Sequence, residues 1–258
     1  MDYLCFLDES ESDAGAQDRF FVFGAALIPI ARVGPLHDGI VTIRESISLP
    51  PEVAFKWNME RISGVTQQSI DSAKARLPAL AAECGVELFA SPVLRAIVVE
   101  KKRVGEAYTF GANTIFKAVG ETLAERRERA CFLVDRLPLA PDNAYDFLGS
   151  KMTNGVGKPN SDNPLHASVG FGFVDAHSTR IASVLDICLG LFTKCLNDAG
   201  SAPWVASGRT VCGLLSHDRA GRVMERGLIA RPTKTQGHYH APYDRMWARL
   251  RALGLTVP

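Results

Sequence analysis

Tyr3-Leu4-Cys5-Phe6-Leu7-Asp8-Glu9-Ser10 decides the fold. Five residues with aromatic or aliphatic bodies run into two carboxylates without the apolar–polar alternation of a strand that faces water on one side. Such a run suits a central strand covered on both faces. Asp8 then stands at the carboxyl end of a buried strand, where open α/β sheets place their ligands. Taken alone, Asp8 and Glu9 would equally begin a solvated loop, Glu9-Ser10-Glu11-Ser12-Asp13. The pattern recurs, however: Cys131-Phe132-Leu133-Val134-Asp135 is a second apolar run that stops at an aspartate.

Outward from the first run, Arg19 to Pro29 is rich in aromatic and β-branched residues and predicts a second strand, ended by Pro29. The polar connection between the two predicts an antiparallel hairpin with a long loop. Leu36, Ile40, Ile43 and Ile47 recur at helical spacing over 34–48, and Pro50-Pro51 stops them. In Glu52-Val53-Ala54-Phe55-Lys56-Trp57-Asn58 a lysine stands between two aromatics. A short strand would aim Lys56 at a site while Phe55 and Trp57 pack inward; a lysine lying over the core with its amine in water fits as well. Residues 66–84 predict a helix closed by Gly85. Residues 86–99 read as a strand, 105–128 as a long helix, 131–135 as the fourth strand and 142–152 as a short helix. The Gly, Asn and Pro of 153–163 mark a loop, and 165–174 a fifth strand ending before Asp175.

The next segment, 179–197, is strongly amphipathic. Ile181, Leu185, Cys188, Leu189, Phe192 and Leu196 form its core stripe. Asp186 lies on a neighbouring stripe of small residues, Ala182, Gly190 and Thr193. That stripe lets the helix approach a sheet with one carboxylate aimed into the gap; a boundary aspartate reaching water is the plainer alternative. Beyond residue 200 glycines and prolines interrupt the pattern, and only Tyr243–Leu253 reads as a firm helix. The domain expectation is therefore a core over 1–198 and an extension over 199–258 packed on it.

Composition narrows the function classes. The chain has 258 residues, 47% hydrophobic, with a net charge of +1. No global basic field points to nucleic acid or a membrane surface. No apolar run approaches the roughly 20 residues that span a bilayer, and the amino terminus lacks the pattern of a secretory signal. The six cysteines are scattered, with no C-x-x-C pair, which predicts reduced thiols in a soluble cytoplasmic protein. No P-loop, G-x-G-x-x-G or G-x-S-x-G occurs. His238 and His240 stand two apart without further zinc ligands and read as a surface loop. His166 and His177 flank the fifth strand and read as structural or solvent-facing.

If strands one and four are neighbours, Asp8 and Asp135 lie at adjoining ends about 4.8 Å apart in Cα. Two such carboxylates repel unless a cation lies between them, and hard oxygen ligands favour Mg²⁺ or Mn²⁺. A pair of such ions about 4 Å apart activates water and stabilises a leaving oxygen in phosphodiester cleavage.

Asp8-Glu9-Ser10, the Lys56 segment, Leu133-Val134-Asp135-Arg136 and the helix carrying Asp186 together resemble the domain-of-unknown-function 3800 family, which is grouped with the ribonuclease H-like fold. The resemblance spans about residues 1–198. It implies an α/β fold: a mixed five-stranded sheet flanked by helices, with Asp8, Asp135 and Asp186 as metal ligands and Glu9 as a fourth acid. The chain departs from the family pattern at Glu11, where a glycine is usual, at Ala54, where a glutamate is frequent, and at Ser183 and Leu185 on the last helix. The expected function is a divalent-metal-dependent nuclease or phosphodiesterase, with Glu9 as ligand or water-orienting base and Lys56 on the substrate phosphate. RNA, DNA or an RNA–DNA hybrid is the expected partner. The alternative is a catalytically weak or inactive binding or scaffold protein on the same fold.

Overall fold

A computed structural model describes residues 1–10, 16–100, 104–135, 150, 168–174, 179–198, 202–230 and 239–258. Five strands form one mixed sheet: β1 (Tyr3–Ser10), β2 (Phe20–Pro29), β3 (Glu87–Leu94), β4 (Ala130–Asp135) and β5 (Ser168–Val174). Their spatial order is β3-β2-β1-β4-β5. β1 and β2 form the expected antiparallel pair, and β2 pairs antiparallel with β3. β1 runs parallel to β4, and β4 parallel to β5.

β1 lies in the middle of this order, and the non-alternating run that begins the chain follows from that position. Cys5 and Leu7 face one hydrophobic cluster and Phe6 the other. β2 divides likewise: Phe21, Phe23, Ala25 and Leu27 on one face, Phe20, Val22, Ala26 and Ile28 on the other. Helix α4 (Val104–Arg126) covers the first face through Ile115, Phe116 and Val119. The second face is covered by α1 (Val33–Glu45), α2 (Gln67–Glu83) and α5 (Ser183–Asn197), with α6 (Ala202–Leu214) and α7 (His240–Ala252) behind them.

Local signals explain the ends. Thr66 caps α2 by accepting the Ser69 N–H at 3.1 Å. Gly85, at φ +67°, reverses the chain after α2, with Gly85 N–H donating to Ala82 O and Val86 N–H to Ala81 O; only a residue tolerant of the left-handed region closes a helix this way cheaply. The strand read over 86–99 is shorter: it stops at Leu94 and turns into α3 (Arg95–Glu100). The N–H groups of Arg95 and Ala96 bond to Arg19 O and Gln17 O, just before β2 begins, so the ladder has run out although Ile97 and Val98 look strand-like. The segment 52–58 is irregular rather than a strand. The helix read over 142–152 and the loop over 153–163 lie outside the described residues, Ser150 apart.

Residues 202–230 and 239–258 are more ordered than their glycines suggest. α6 contains Pro203, Gly208 and Gly213 and was not legible as a helix. A Cβ at Gly208 would stand 2.6 Å from Cys195 Sγ of α5, so the glycine that weakens the pattern also permits the helix crossing. Val211, Cys212, Met246 and Leu250 join the same cluster as α5. The chain after α6 runs along β3: Ser216 N–H donates to Leu88 O, Ala90 N–H to Gly227 O and Ile229 N–H to Ala90 O. This covers the outer edge of the sheet, where unpaired backbone would otherwise invite aggregation.

Glu87 at the start of β3 ties three elements together. It accepts both Arg126 guanidinium nitrogens, at 2.5 and 2.8 Å, and the Ser216 hydroxyl at 2.7 Å. Burial alone would raise its pKa, but these donors outweigh that effect and hold it below the ordinary value. A depressed folded-state value contributes stability above the unfolded pKa of about 4.3, and that stability is lost as pH falls through the folded value. Glu87→Gln is therefore expected to cost about 1–2 kcal/mol at neutral pH, after allowance for partial solvent screening. Urea midpoints of the two proteins should converge as pH falls below about 4. A gap independent of pH would assign the loss to packing instead.

The six cysteines are free thiols, five of them buried and Cys131 half-buried. No helix among the described residues is long and apolar enough to cross a membrane.

Candidate functional site

The pleat of β1 sorts its two terminal acids. Phe6 faces α5 and Leu7 faces α4, so Asp8 continues the α5 face and Glu9 the α4 face. The register agrees: Asp8 is opposite Gly24, and Glu9 opposite Phe23, which is in the α4 cluster. On β4, Phe132 and Val134 face α4 while Leu133 packs on the other side. Asp135 therefore joins Asp8 on the α5 face. The parallel register Leu7–Val134 sets Asp8 and Asp135 at adjoining strand ends. α5 lies over this face and carries Asp186 in its first turn. Asn197 fastens the far end of α5 by accepting Phe20 N–H and donating to Phe20 O, both at 2.7 Å.

Three acids distant in sequence thus share one side of the sheet, and the charge of Asp135 is felt at both Asp8 and Asp186. The Asp8 carboxyl is pushed well above its ordinary range, first by burial and then by repulsion from Asp186, Glu9 and Asp135, although it accepts Glu9 N–H at 2.8 Å. Asp186 is raised chiefly by burial, and Asp135 adds to this. The Trp57 N–H, Lys56 and Lys74 oppose that rise. Glu9, expected to join the ligands, stands on the other pleat and reaches the cluster as a charge near Asp8. Among the described residues no three His, Cys, Asp or Glu side chains are grouped so as to hold a metal ion. One Asp186 oxygen is already engaged with Trp57 N–H.

The Lys56 segment owes its position to Trp57. The Trp57 N–H donates to Asp186 Oδ2, and its carbonyl accepts Lys74 Nζ at 2.6 Å. These bonds replace the strand ladder expected here. Phe55 is buried, at 3% exposure, and anchors the segment in the core. Lys56 follows with its charge felt at Asp186. The stripe of small residues on α5 has a different use from the one its sequence suggests. A Cβ at Gly190 would come within 2.2 Å of Trp57 Cγ, so the gap holds the indole of Trp57 rather than the sheet.

Lys74 is the residue the sequence reading passed over. It lies in α2 four residues after Ile70, on the stripe that continues to Leu77 and Ala81, and is 4% exposed. A lysine in phase with an apolar stripe was the available signal. Burial lowers its pKa, while Asp71 and Asp186 favour its charged form. Its ammonium lies 5.2 Å from the Trp57 ring centroid, within cation–π range.

A cleft of about 400 Å³ opens beside the acids. Its lining includes Ser10, two residues beyond Asp8, and Gly190, one turn beyond Asp186. Trp57 and Trp204 line it as an edge-to-face pair with centroids 5.5 Å apart. Of the histidines considered, His240 starts α7, and His166, His177 and His238 lie outside the described residues.

The sequence matches no protein-family model, no curated protein and no solved structure. The functional reading therefore rests on the site alone.

Proposed function

We propose that this chain is a divalent-metal-dependent phosphodiesterase of ribonuclease H-like architecture that hydrolyses a phosphodiester of RNA, DNA or a hybrid. The observation that carries this reading is the convergence of Asp8 and Asp135, at adjoining ends of parallel strands, with Asp186 in the first turn of the helix over the same face; the charges of Asp186 and Asp135 raise Asp8, and that of Asp135 raises Asp186. Such a cluster is costly as it stands and is relieved by a cation. The order β3-β2-β1-β4-β5, with β1, β4 and β5 parallel, supports the fold assignment.

The donors are carboxylate oxygens, which suit Mg²⁺ or Mn²⁺ in kind. Asp8, Asp135 and Asp186 would hold the ion. Bound there, it would supply an acidified water and neutralise charge on the leaving oxygen. Trp57 N–H orients Asp186 by taking one of its oxygens. Lys56 offsets charge beside Asp186 and meets the substrate phosphate. Lys74 holds the Trp57 carbonyl and with it the Lys56 segment. Glu9, on the opposite pleat, deepens the negative potential at Asp8.

A second reading is a weakly active or inactive binding or scaffold protein. It is favoured by Ala54, which supplies no carboxylate to the Lys56 segment, and by the lack of a grouped metal-binding triad among the described residues. Adding Mn²⁺ at about 100 times its Kd should stabilise the protein by about 2.7 kcal/mol, read as a rise in Tm. At least one of labelled RNA, DNA and RNA–DNA hybrid should be cleaved, and only with the metal. Asp135→Asn and Asp186→Asn should lose both effects. A shift without turnover selects the scaffold reading, and no shift at any Mn²⁺ concentration removes the metal site.

A further inference from the structure

We infer that the cleft between α2, α5 and α6 is a subsite for one unpaired nucleotide, so that the substrate enters as a single strand. The inference rests on the phosphodiesterase reading for its position beside the scissile bond, but its binding chemistry stands on the cleft itself.

Size comes first. A volume of about 400 Å³ lies within the range of small-ligand pockets, roughly 300–1,000 Å³. A base has to leave its stack to enter such a notch, so paired nucleotides are excluded while single strands and ends are admitted. Charge comes second. The lining includes the cations Arg19, Lys74 and Lys194 and the anions Asp71 and Asp198, three minus two, a balance of +1. Arg19 and Lys194 both pair with Asp198, at 3.4 and 3.1 Å. This balance is too small to bind a polyanion by charge alone, so the cleft is left to select by the base.

The remaining chemistry is that of a base. Trp57 and Trp204 give an aromatic wall, and stacking on indoles tolerates any base. Asn58 lines the cleft as an exposed amide with no hydrogen bond among the described residues, and Gln67 lies nearby with its amide donating to Asp71 at 2.8 Å. Side-chain amides are suited to base edges. The cleft is also joined to the acids. Ser10 shares the pleat of Asp8, and the Trp57 backbone is bonded to Asp186. A nucleotide seated there leaves its neighbouring phosphodiester at the carboxylates.

The test is fluorescence anisotropy with a short labelled single strand, RNA and DNA separately, and the matching duplex, all in excess EDTA so that nothing is cut. The single strand should bind at least about 10-fold tighter than the duplex, and Trp204→Leu should weaken it by about 10-fold or more. Asn58→Ala changes an exposed side chain and serves if Trp204→Leu does not fold; it should weaken binding about 3–10-fold. Equal affinity for duplex and single strand overturns the subsite, as does unchanged binding in Asn58→Ala together with a folded Trp204→Leu. Asp8→Asn should retain single-strand binding. If that binding is present in the wild type while no metal produces cleavage, the phosphodiesterase reading fails and the nucleotide subsite stands.

Discussion

Gly190→Ala should destabilise the protein and disable the site together, although alanine is the better helix former. Inside α5 the exchange gains about 1 kcal/mol of helix propensity. Against that, the new methyl would overlap the Trp57 indole, 2.2 Å from Cγ and 2.5 Å from Cδ2. Trp57 cannot slide away cheaply, because Asp186 holds its N–H and Lys74 its carbonyl. Overpacking costs about 1–3 kcal/mol, and a broken hydrogen bond to a charged group about 1.5–3 kcal/mol. The loss exceeds the gain, and a net destabilisation of roughly 2–4 kcal/mol is expected in urea unfolding. Cleavage should fall with it, since Lys56 moves with its neighbour. Pairing Gly190→Ala with Trp57→Ala should recover part of the loss relative to the sum of the single changes, a coupling characteristic of residues in contact. Additive effects, or a Gly190→Ala protein as stable as the wild type, would show that the indole does not occupy that gap.

The same contact shows why the sheet was legible and the site only partly so. Strand-forming runs carry their own signal: the unbroken apolar stretch of β1 and the aromatic run of β2 describe strands buried on both faces, and Asp8 and Asp135 could be placed at their ends from sequence alone. Bringing Asp186 to them required only the amphipathic phase of α5. The Lys56 segment had no such rule. Its conformation is fixed by two single hydrogen bonds, Trp57 N–H to the Asp186 carboxylate and Lys74 Nζ to the Trp57 carbonyl, whose partners lie 129 and 17 residues away along the chain. Local propensity does not encode such distant partners. Lys74 was hidden for a related reason: its type says surface, while its phase with Ile70 and Leu77 says core, and phase prevailed because the Trp57 carbonyl and ring receive the ammonium. Glu9 lies on the pleat opposite Asp8 and reaches it as a neighbouring charge. Adjacent residues of a strand cannot face one volume, so Asp8 and Glu9 could not both have been aimed at Asp135. α6 carries no clear helical signal because Gly208 reads as a helix breaker, whereas in the fold it makes room for Cys195 of α5.

Asp8→Asn should make the metal-free protein more stable at neutral pH and make it insensitive to the metal. The sign follows from the direction of the shift. The Asp8 carboxyl is held above its ordinary range by burial and by the charges of Asp186, Glu9 and Asp135. Its contribution to stability is fully present below the unfolded value of about 3.9 and is lost as pH rises through the folded value. Asparagine is neutral at every pH, and its side-chain oxygen still accepts the Glu9 N–H that Asp8 accepts at 2.8 Å. Its amide can donate where the carboxylate repelled. In EDTA the two proteins should unfold alike near pH 4 and diverge as pH rises, the variant gaining on the order of 1–3 kcal/mol by pH 8, the cost of an uncompensated buried polar group. Saturating Mn²⁺ should reverse the ranking, because the wild type gains binding energy and the variant has lost a ligand. Urea titrations at several pH values, with and without Mn²⁺, read both halves. A variant less stable than the wild type in EDTA at pH 8 would mean that Asp8 is already compensated within the fold, and the electrostatic argument for a cation at these three carboxylates would fall with it.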